Sequence, residues 1–185
     1  MPSHPGIAVR EESCLLVVDM QEPFLRAMFE RERLVGNVRK LVQAAEILHI
    51  PILVTLQYAE RMGDTIPEIR DHISDYRPVD KMTFSCCRVE PFRKLLEDVG
   101  RKTVVVCGLE AHVCVNQTVH DLLAMGYRPH VVTDATSSRH ETNWRIGLKK
   151  AGRSGAILTS VEMVLFEWLY QAGTPEFKEV QKLIR

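Results

Sequence analysis

The chain has 185 residues, with 24 Lys plus Arg against 24 Asp plus Glu and a formal net charge of zero. That length fills one well-packed domain, and the charge balance argues against a broad electrostatic surface for nucleic acid or an anionic membrane. No apolar run approaches the ~20 residues that span a bilayer, and residues 1–6 lack the basic and apolar regions of a secretory signal, so a cytoplasmic protein without nucleic-acid or membrane partners is expected.

Residues 1–11 read as a loose arm. Residues 14–18 form an apolar run of strand length that ends at Asp19. Leu34, Val38, Leu41, Val42, Ala45 and Leu48 keep helical spacing, which predicts an amphipathic helix over 34–49. Pro51 ends it, and 52–55 is a second strand. Residues 57–80 are polar and carry Gly63, Pro67 and Pro78. They read as a long irregular segment with one helical turn over 66–72, and such a loop in a compact domain is often functional. Pro91 suits the first turn of a helix that runs to Val99 and is closed by Gly100.

The run 103–107 reads as a fully buried strand. Gly108 breaks it, and a helix over 112–125 follows, closed by Gly126. A strand at 129–133 tolerates Pro129 at its start. Ser138 is the candidate N-cap of a helix over 141–151. A last strand at 156–159 precedes helices at 161–170 and 175–184. Alternating strands and helices predict a three-layer α/β/α sandwich with a mainly parallel, doubly wound sheet, in a single domain over 1–185 with its core at about 13–184. The helix at 161–170 is apolar on more than one face, so it is buried either within the monomer or by a second subunit; a homo-oligomer formed through it is expected.

Five cysteines with no CxxC pair suggest neither a disulfide framework nor a structural zinc site. Cys14 and Cys107 fall in strands, and the adjacent Cys86 and Cys87 receive no role. Cys114 differs, because it sits where a buried strand gives way to a helix. In a parallel sheet, residues just past the strands' carboxyl ends converge on one crevice. Asp19 follows the first strand, and Lys81 could reach the same edge. An ammonium and a helix N-terminus both favour a thiolate, lowering the Cys pKa from ~8.5 to ~3.5–7.5 in such settings. Asp19 would then serve as general base and acid. Taken singly, each residue has an ordinary reading: a turn-capping Asp, a solvated Lys, an inert core thiol. His112 reads as a helix-start histidine that could touch substrate, His120 lies off the Cys114 face, and Asp134 reads as a loop organiser. A cysteine phosphatase or rhodanese site would need Arg where His120 stands.

Four segments carry a resemblance: Leu-Leu-Val-Val-Asp19-Met-Gln21-Glu-Pro-Phe24, Lys81-Met-Thr-Phe-Ser85, Val-Cys-Gly108-Leu-Glu-Ala-His-Val-Cys114-Val, and Val-Val-Thr-Asp134-Ala. Over nearly its whole length the chain resembles the isochorismatase-like cysteine hydrolases. It is most similar to the small isochorismatase-domain proteins, through Gln57-Tyr58 and the tail at 175–184. The resemblance implies a triad of Asp19, Lys81 and Cys114, with Gln21 orienting the loop after the first strand. It also implies a cis peptide between Leu109 and Glu110 that would aim the Glu110 N–H beside that of Cys114 as an oxyanion hole. Phe24, Gln57, Tyr58, Phe84 and His112 are candidates for the substrate pocket. Nicotinamidases of this family hold a metal with loop histidines; this chain has Gln57-Tyr-Ala-Glu60 there and a lone His72, so no metal and no cofactor are expected. The activity implied is thioester-mediated cleavage of a C–N bond in a small amide or related carbonyl compound. The alternatives are a catalytically weak interaction protein on the same fold, or vinyl-ether hydrolysis of the isochorismatase type.

Overall fold

The computed structural model describes residues 4–184. In chain order the elements are β1 (Ser13–Val18), α1 (Glu22–Leu25), α2 (Arg31–Ile47), β2 (Ile52–Gln57), α3 (Ala59–Met62), α4 (Pro67–Arg70), β3 (Val79–Lys81), α5 (Glu90–Val99), β4 (Thr103–Gly108), α6 (Cys114–Ala124), β5 (Arg128–Thr136), α7 (Glu141–Arg153), β6 (Ile157–Thr159), α8 (Val161–Leu169) and α9 (Pro175–Gln181). The six strands form one sheet in the order β3-β2-β1-β4-β5-β6, and every pairing is parallel. This is the doubly wound arrangement.

Strand periodicity divides the core. Leu15 and Val17 of β1, with Val54, Val105 and Val132, pack against α2, α8 and α9. Cys14, Leu16 and Val18, with Leu53, Val104 and Val106, pack on the opposite face against α5, α6 and α7. All six residues of β1 are buried, as expected of a central strand covered on both sides. Trp168, fully buried on α8, anchors the first layer. Pro51, Gly100 and Gly126 punctuate the chain where the sequence places them, Gly100 in the left-handed conformation that closes α5.

Three expectations change. The segment 57–80 is less irregular than its composition suggests: it holds α3, α4 and the edge strand β3, whose Val79 and Lys81 register with Thr55 and Gln57. Three residues are too few for a period-2 signal, so this strand exists through its neighbour β2. Ser138 does not cap α7, whose N-cap position is His140 and carries no side-chain cap. The Ser138 hydroxyl faces His112 Nδ1 at 2.9 Å instead. The arm is also partly fastened: Ala8 is buried and its N–H donates to Glu167 at 2.8 Å.

Candidate active site

The sheet's strand order reverses between β1 and β4, and the two end together with Val18 registered against Gly108. A crevice opens beyond the carboxyl ends of such a pair. Gly108 has φ 105°, and a Cβ there would lie 2.2 Å from the Val18 carbonyl oxygen, so only glycine lets the two strand ends meet this closely. Asp19, the next residue on the β1 side, adopts φ 52°. The left-handed region is uncommon for a side-chain-bearing residue, though Asp tolerates it better than most. The turn is held by the Asp19 N–H donating to the Thr55 carbonyl at 3.1 Å and by the Asp19 carbonyl accepting from Gln21 N–H at 2.8 Å.

Three side chains meet over this turn. Lys81, the last residue of β3, reaches across the end of β2 and donates to Asp19 Oδ2 at 2.7 Å. It also donates to Gln57 Oε1 at 2.7 Å. The Thr55 hydroxyl donates to Asp19 Oδ1 at 2.9 Å. The ion pair is almost sealed, with side-chain exposures of 0% for Lys81 and 3% for Asp19. Gln57 is fixed on both sides. Its Nε2 donates to the Met82 carbonyl at 3.0 Å, which leaves Oε1 facing Lys81 and, at 4.0 Å, Cys114 Sγ. Gln21, buried, clamps the Gln57 backbone by accepting its N–H at 2.8 Å and donating to its carbonyl at 3.2 Å.

Cys114 is the first residue of α6. The loop that delivers it is held from three directions. Leu109 N–H donates to Val18 at 2.9 Å, and Ala111 N–H donates to Ser137 at 2.8 Å. Gly147 of α7 packs so closely that a Cβ there would meet the Ala111 carbonyl oxygen at 2.6 Å. Among the described residues, neither the Glu110 N–H nor the Cys114 N–H has an acceptor within the protein. Phe24, Gln57, Phe84, Leu109 and Val113 wall a cleft of about 70 Å³ that reaches Asp19, Glu110 and Cys114.

The isochorismatase-domain family model matches residues 13–163. The chain belongs to the isochorismatase family. A secreted isochorismatase effector of Phytophthora sojae is 41% identical over 97% of this chain and 88% of that protein. Isochorismatase domain-containing protein 2 of Danio rerio is 38% identical over 93% of this chain and 86% of its own length. Among solved structures, the MAR1 ribonuclease of Caenorhabditis elegans superposes with a TM-score of 0.90 at 38% identity, covering 96% of this chain and 92% of that one. An octameric Escherichia coli hydrolase of unknown specificity shares the fold, with a TM-score of 0.90 at 20% identity over 96% of this chain and 90% of that one.

Within this isochorismatase domain, Asp19, Lys81, Cys114, Phe24, Gln57 and Phe84 come together as the sequence suggests. Tyr58 and His112 do not line the cleft. Tyr58 takes a left-handed turn that starts α3, its N–H bonded to the Lys81 carbonyl at 3.0 Å. His112 turns to Ser138. The peptide between Leu109 and Glu110 is trans, contrary to the cis bond expected there. Trans is the lower-energy form of any non-proline peptide by ~3–4 kcal/mol, and with the bond trans both loop amides lack an acceptor among the described residues.

The expected thiolate is also corrected. Burial pushes the Cys114 thiol up, the Asp19 carboxylate pushes the same way, and Lys81 opposes them without prevailing. The reason is geometric: the Lys81 ammonium is already bonded to Asp19 and Gln57. For Lys81 itself, burial is the largest single influence and disfavours the ammonium, but the charge and hydrogen bond of Asp19 together with the nearby Cys86 and Cys114 outweigh it and raise the pKa. Cys114 is therefore held as a thiol, with the Gln57 and Asp19 oxygens near it.

Sequence reasoning overlooked Thr55, Leu109 and Val113. Thr55 closes the predicted second strand, so the same strand-end rule that selects Asp19 could have found it. Cys86, given no role, is buried with Sγ 3.6 Å from Thr55 Oγ1. Gln21 bridges β2 and Gly63 as the orienting residue expected. Asp134 organises a loop, its carboxylate accepting the Val161 N–H at 2.9 Å. His72 lies 3.4 Å from the side chain of Gln43. Among the described residues no three His, Cys, Asp or Glu side chains gather as a metal site.

Proposed function

We propose that this isochorismatase-family protein is a metal-independent cysteine hydrolase that cleaves the C–N bond of a small amide or related carbonyl compound. The observation that carries the reading is that Cys114 lies beside the buried Asp19–Lys81 pair, in a loop whose Glu110 and Cys114 amides have no acceptor among the described residues. Cys114 Sγ passes its proton to Asp19 as it attacks the carbonyl carbon. The oxyanion formed is stabilised by the Glu110 and Cys114 N–H groups, where one such donor is worth about 2.7–4 kcal/mol. Asp19 returns the proton to the departing ammonia or amine. It then takes a proton from water, which attacks the thioester, and passes that proton to the departing Cys114 sulfur, restoring thiol and carboxylate. Lys81 holds Asp19 in place and balances its charge, and Thr55 fixes the second carboxylate oxygen. A thiol that ionises only as the proton moves to Asp19 fits a nucleophile shielded until substrate arrives.

One relative is named a ribonuclease. The apolar cleft walls and the saturated Lys81 support an uncharged carbonyl substrate over a phosphodiester, which needs a free cation near the reacting group. We further propose that the protein self-associates through α8. Val161, Val164, Leu165, Trp168 and Leu169 are buried in the monomer, whereas Met163, Phe166 and Tyr170 are exposed.

The test is a screen of amides, ureides and carbamates by ammonia release, with acyl-enzyme trapping by intact mass spectrometry. Wild type should accumulate an adduct on Cys114 that Cys114→Ala lacks, and Asp19→Asn should slow both formation and decay of that adduct. Turnover retained by Cys114→Ala overturns the thioester route, and activity lost to a chelator overturns metal independence.

A further inference from the structure

The cleft's walls and its charges differ sharply. Phe24, Phe84, Leu109 and Val113 form its apolar walls. Phe84 is 52% exposed although wholly apolar, and it follows Met82, which is 65% exposed. Among the described residues, the charged residues that line it are both acidic, Asp19 and Glu110, while Lys81 lies behind Asp19, sealed and bonded to both Asp19 and Gln57. The next cation outward, Arg139, is bound to the Glu110 carboxylate at 3.2 Å.

We propose that the cleft selects small uncharged substrates and turns away carboxylates, and that Phe24 and Phe84 set this preference. The inference rests on the hydrolase reading only in calling the occupant a substrate; the selectivity is a property of the cleft. A carboxylate entering it would shed its water with no cation to replace that water, and would approach a carboxylate already there. A neutral amide sheds less and covers the exposed face of Phe84. Its carbonyl oxygen can turn toward the Glu110 and Cys114 amides, which have no other acceptor. The volume of about 70 Å³ restricts the enclosed portion to a small acyl group, leaving the remainder of a larger substrate outside.

The test compares two probes of nearly the same shape and different charge. Iodoacetamide and iodoacetate each alkylate a thiol by displacement of iodide, forming a C–S bond with loss of the thiol proton. Their second-order rates at Cys114 are measured at pH 8 by peptide mapping of the folded protein, and each is divided by the rate for glutathione. The normalised preference for iodoacetamide should be roughly tenfold or more, as one missing counter-charge in a partly desolvated site would produce. Phe84→Arg places a cation at an exposed position, and should move that preference severalfold back toward the glutathione value. A preference equal to or below that of glutathione, no labelling of Cys114 by either reagent, or a preference unchanged in Phe84→Arg overturns the proposal. The two readings fail separately. Selective labelling without amide turnover would sink the hydrolase and keep the selectivity; turnover of carboxylate-bearing amides as fast as neutral ones would do the reverse.

Discussion

Replacing Lys81 by Met removes the ammonium 2.7 Å from Asp19 Oδ2 while keeping an unbranched stem. Asp19 would stay buried, with the Thr55 hydroxyl at 2.9 Å as its remaining side-chain partner. Taking one partner from a buried ion pair destabilises by about 3–5 kcal/mol. At about 2–4 °C per kcal/mol for a chain of this size, the melting temperature should fall by roughly 6–20 °C. The deficit should depend on pH with a definite sign. A buried carboxylate without its counter-charge is relieved by taking up a proton, whereas an unfolded Asp does so only near ~4. The folded variant then binds more protons than the unfolded chain, so its stability falls as pH rises. Thermal unfolding followed by circular dichroism at pH 8 and pH 5.5 measures this. The gap between wild type and Lys81→Met should be wide at pH 8 and narrower at pH 5.5. The double variant Lys81→Met with Asp19→Asn should recover much of the loss, since no charge is left buried. A gap under about 1 kcal/mol at pH 8, or one that widens on acidification, refutes the reasoning that this pair is sealed and mutually dependent.

Two further outcomes follow from packing and burial. Gly147→Ala should destabilise by about 1–3 kcal/mol through overpacking, because its Cβ meets the Ala111 carbonyl at 2.6 Å, and it should also slow iodoacetamide labelling of Cys114 by shifting the loop that carries it. Gly36→Ala, in α2 with nothing within 4 Å of the added carbon, is the control and should be neutral or stabilising. His130 is fully buried, and burial holds its pKa below the ordinary 6.5. The unfolded chain therefore binds a proton more readily, so stability present above pH 6.5 is lost as pH falls through the folded value. Urea unfolding from pH 7.5 to 5 should show this loss in wild type and a smaller one in His130→Gln; equal slopes would count against it.

The parallel sheet was legible because fully buried strands leave continuous apolar runs such as those at 14–18 and 103–107, and because Gly and Pro mark where they stop. Helix α2 was legible from the spacing of its buried face, and the actual bounds, Arg31–Ile47, differ by a few residues at each end, where propensity is weakest. β3 was not legible. Three residues have no measurable period, and their partner lies more than twenty positions back in the chain. Tyr58 and His112 illustrate a second kind of failure: nearness in sequence to β2 or to Cys114 says nothing about which way a side chain turns, and backbone conformation at Tyr58 and the Ser138 hydroxyl decide it.

The protonation of Cys114 shows where the boundary lies. Residue order alone determined that an Asp and a Cys would stand at one edge of a doubly wound sheet, since strand ends converge wherever βα units repeat, whereas Lys81 joins them only through β3. Residue order also determined that Gly108 would end β4. Only the tertiary structure decided how the charges pair. Lys81 spends its ammonium on Asp19 and Gln57, the Leu109–Glu110 peptide stays trans, and the thiol is left protonated in a cleft with apolar walls. Those outcomes depend on distances of about 3 Å between residues some sixty positions apart and on the exclusion of water around them, and neither quantity is written in any local pattern of the chain.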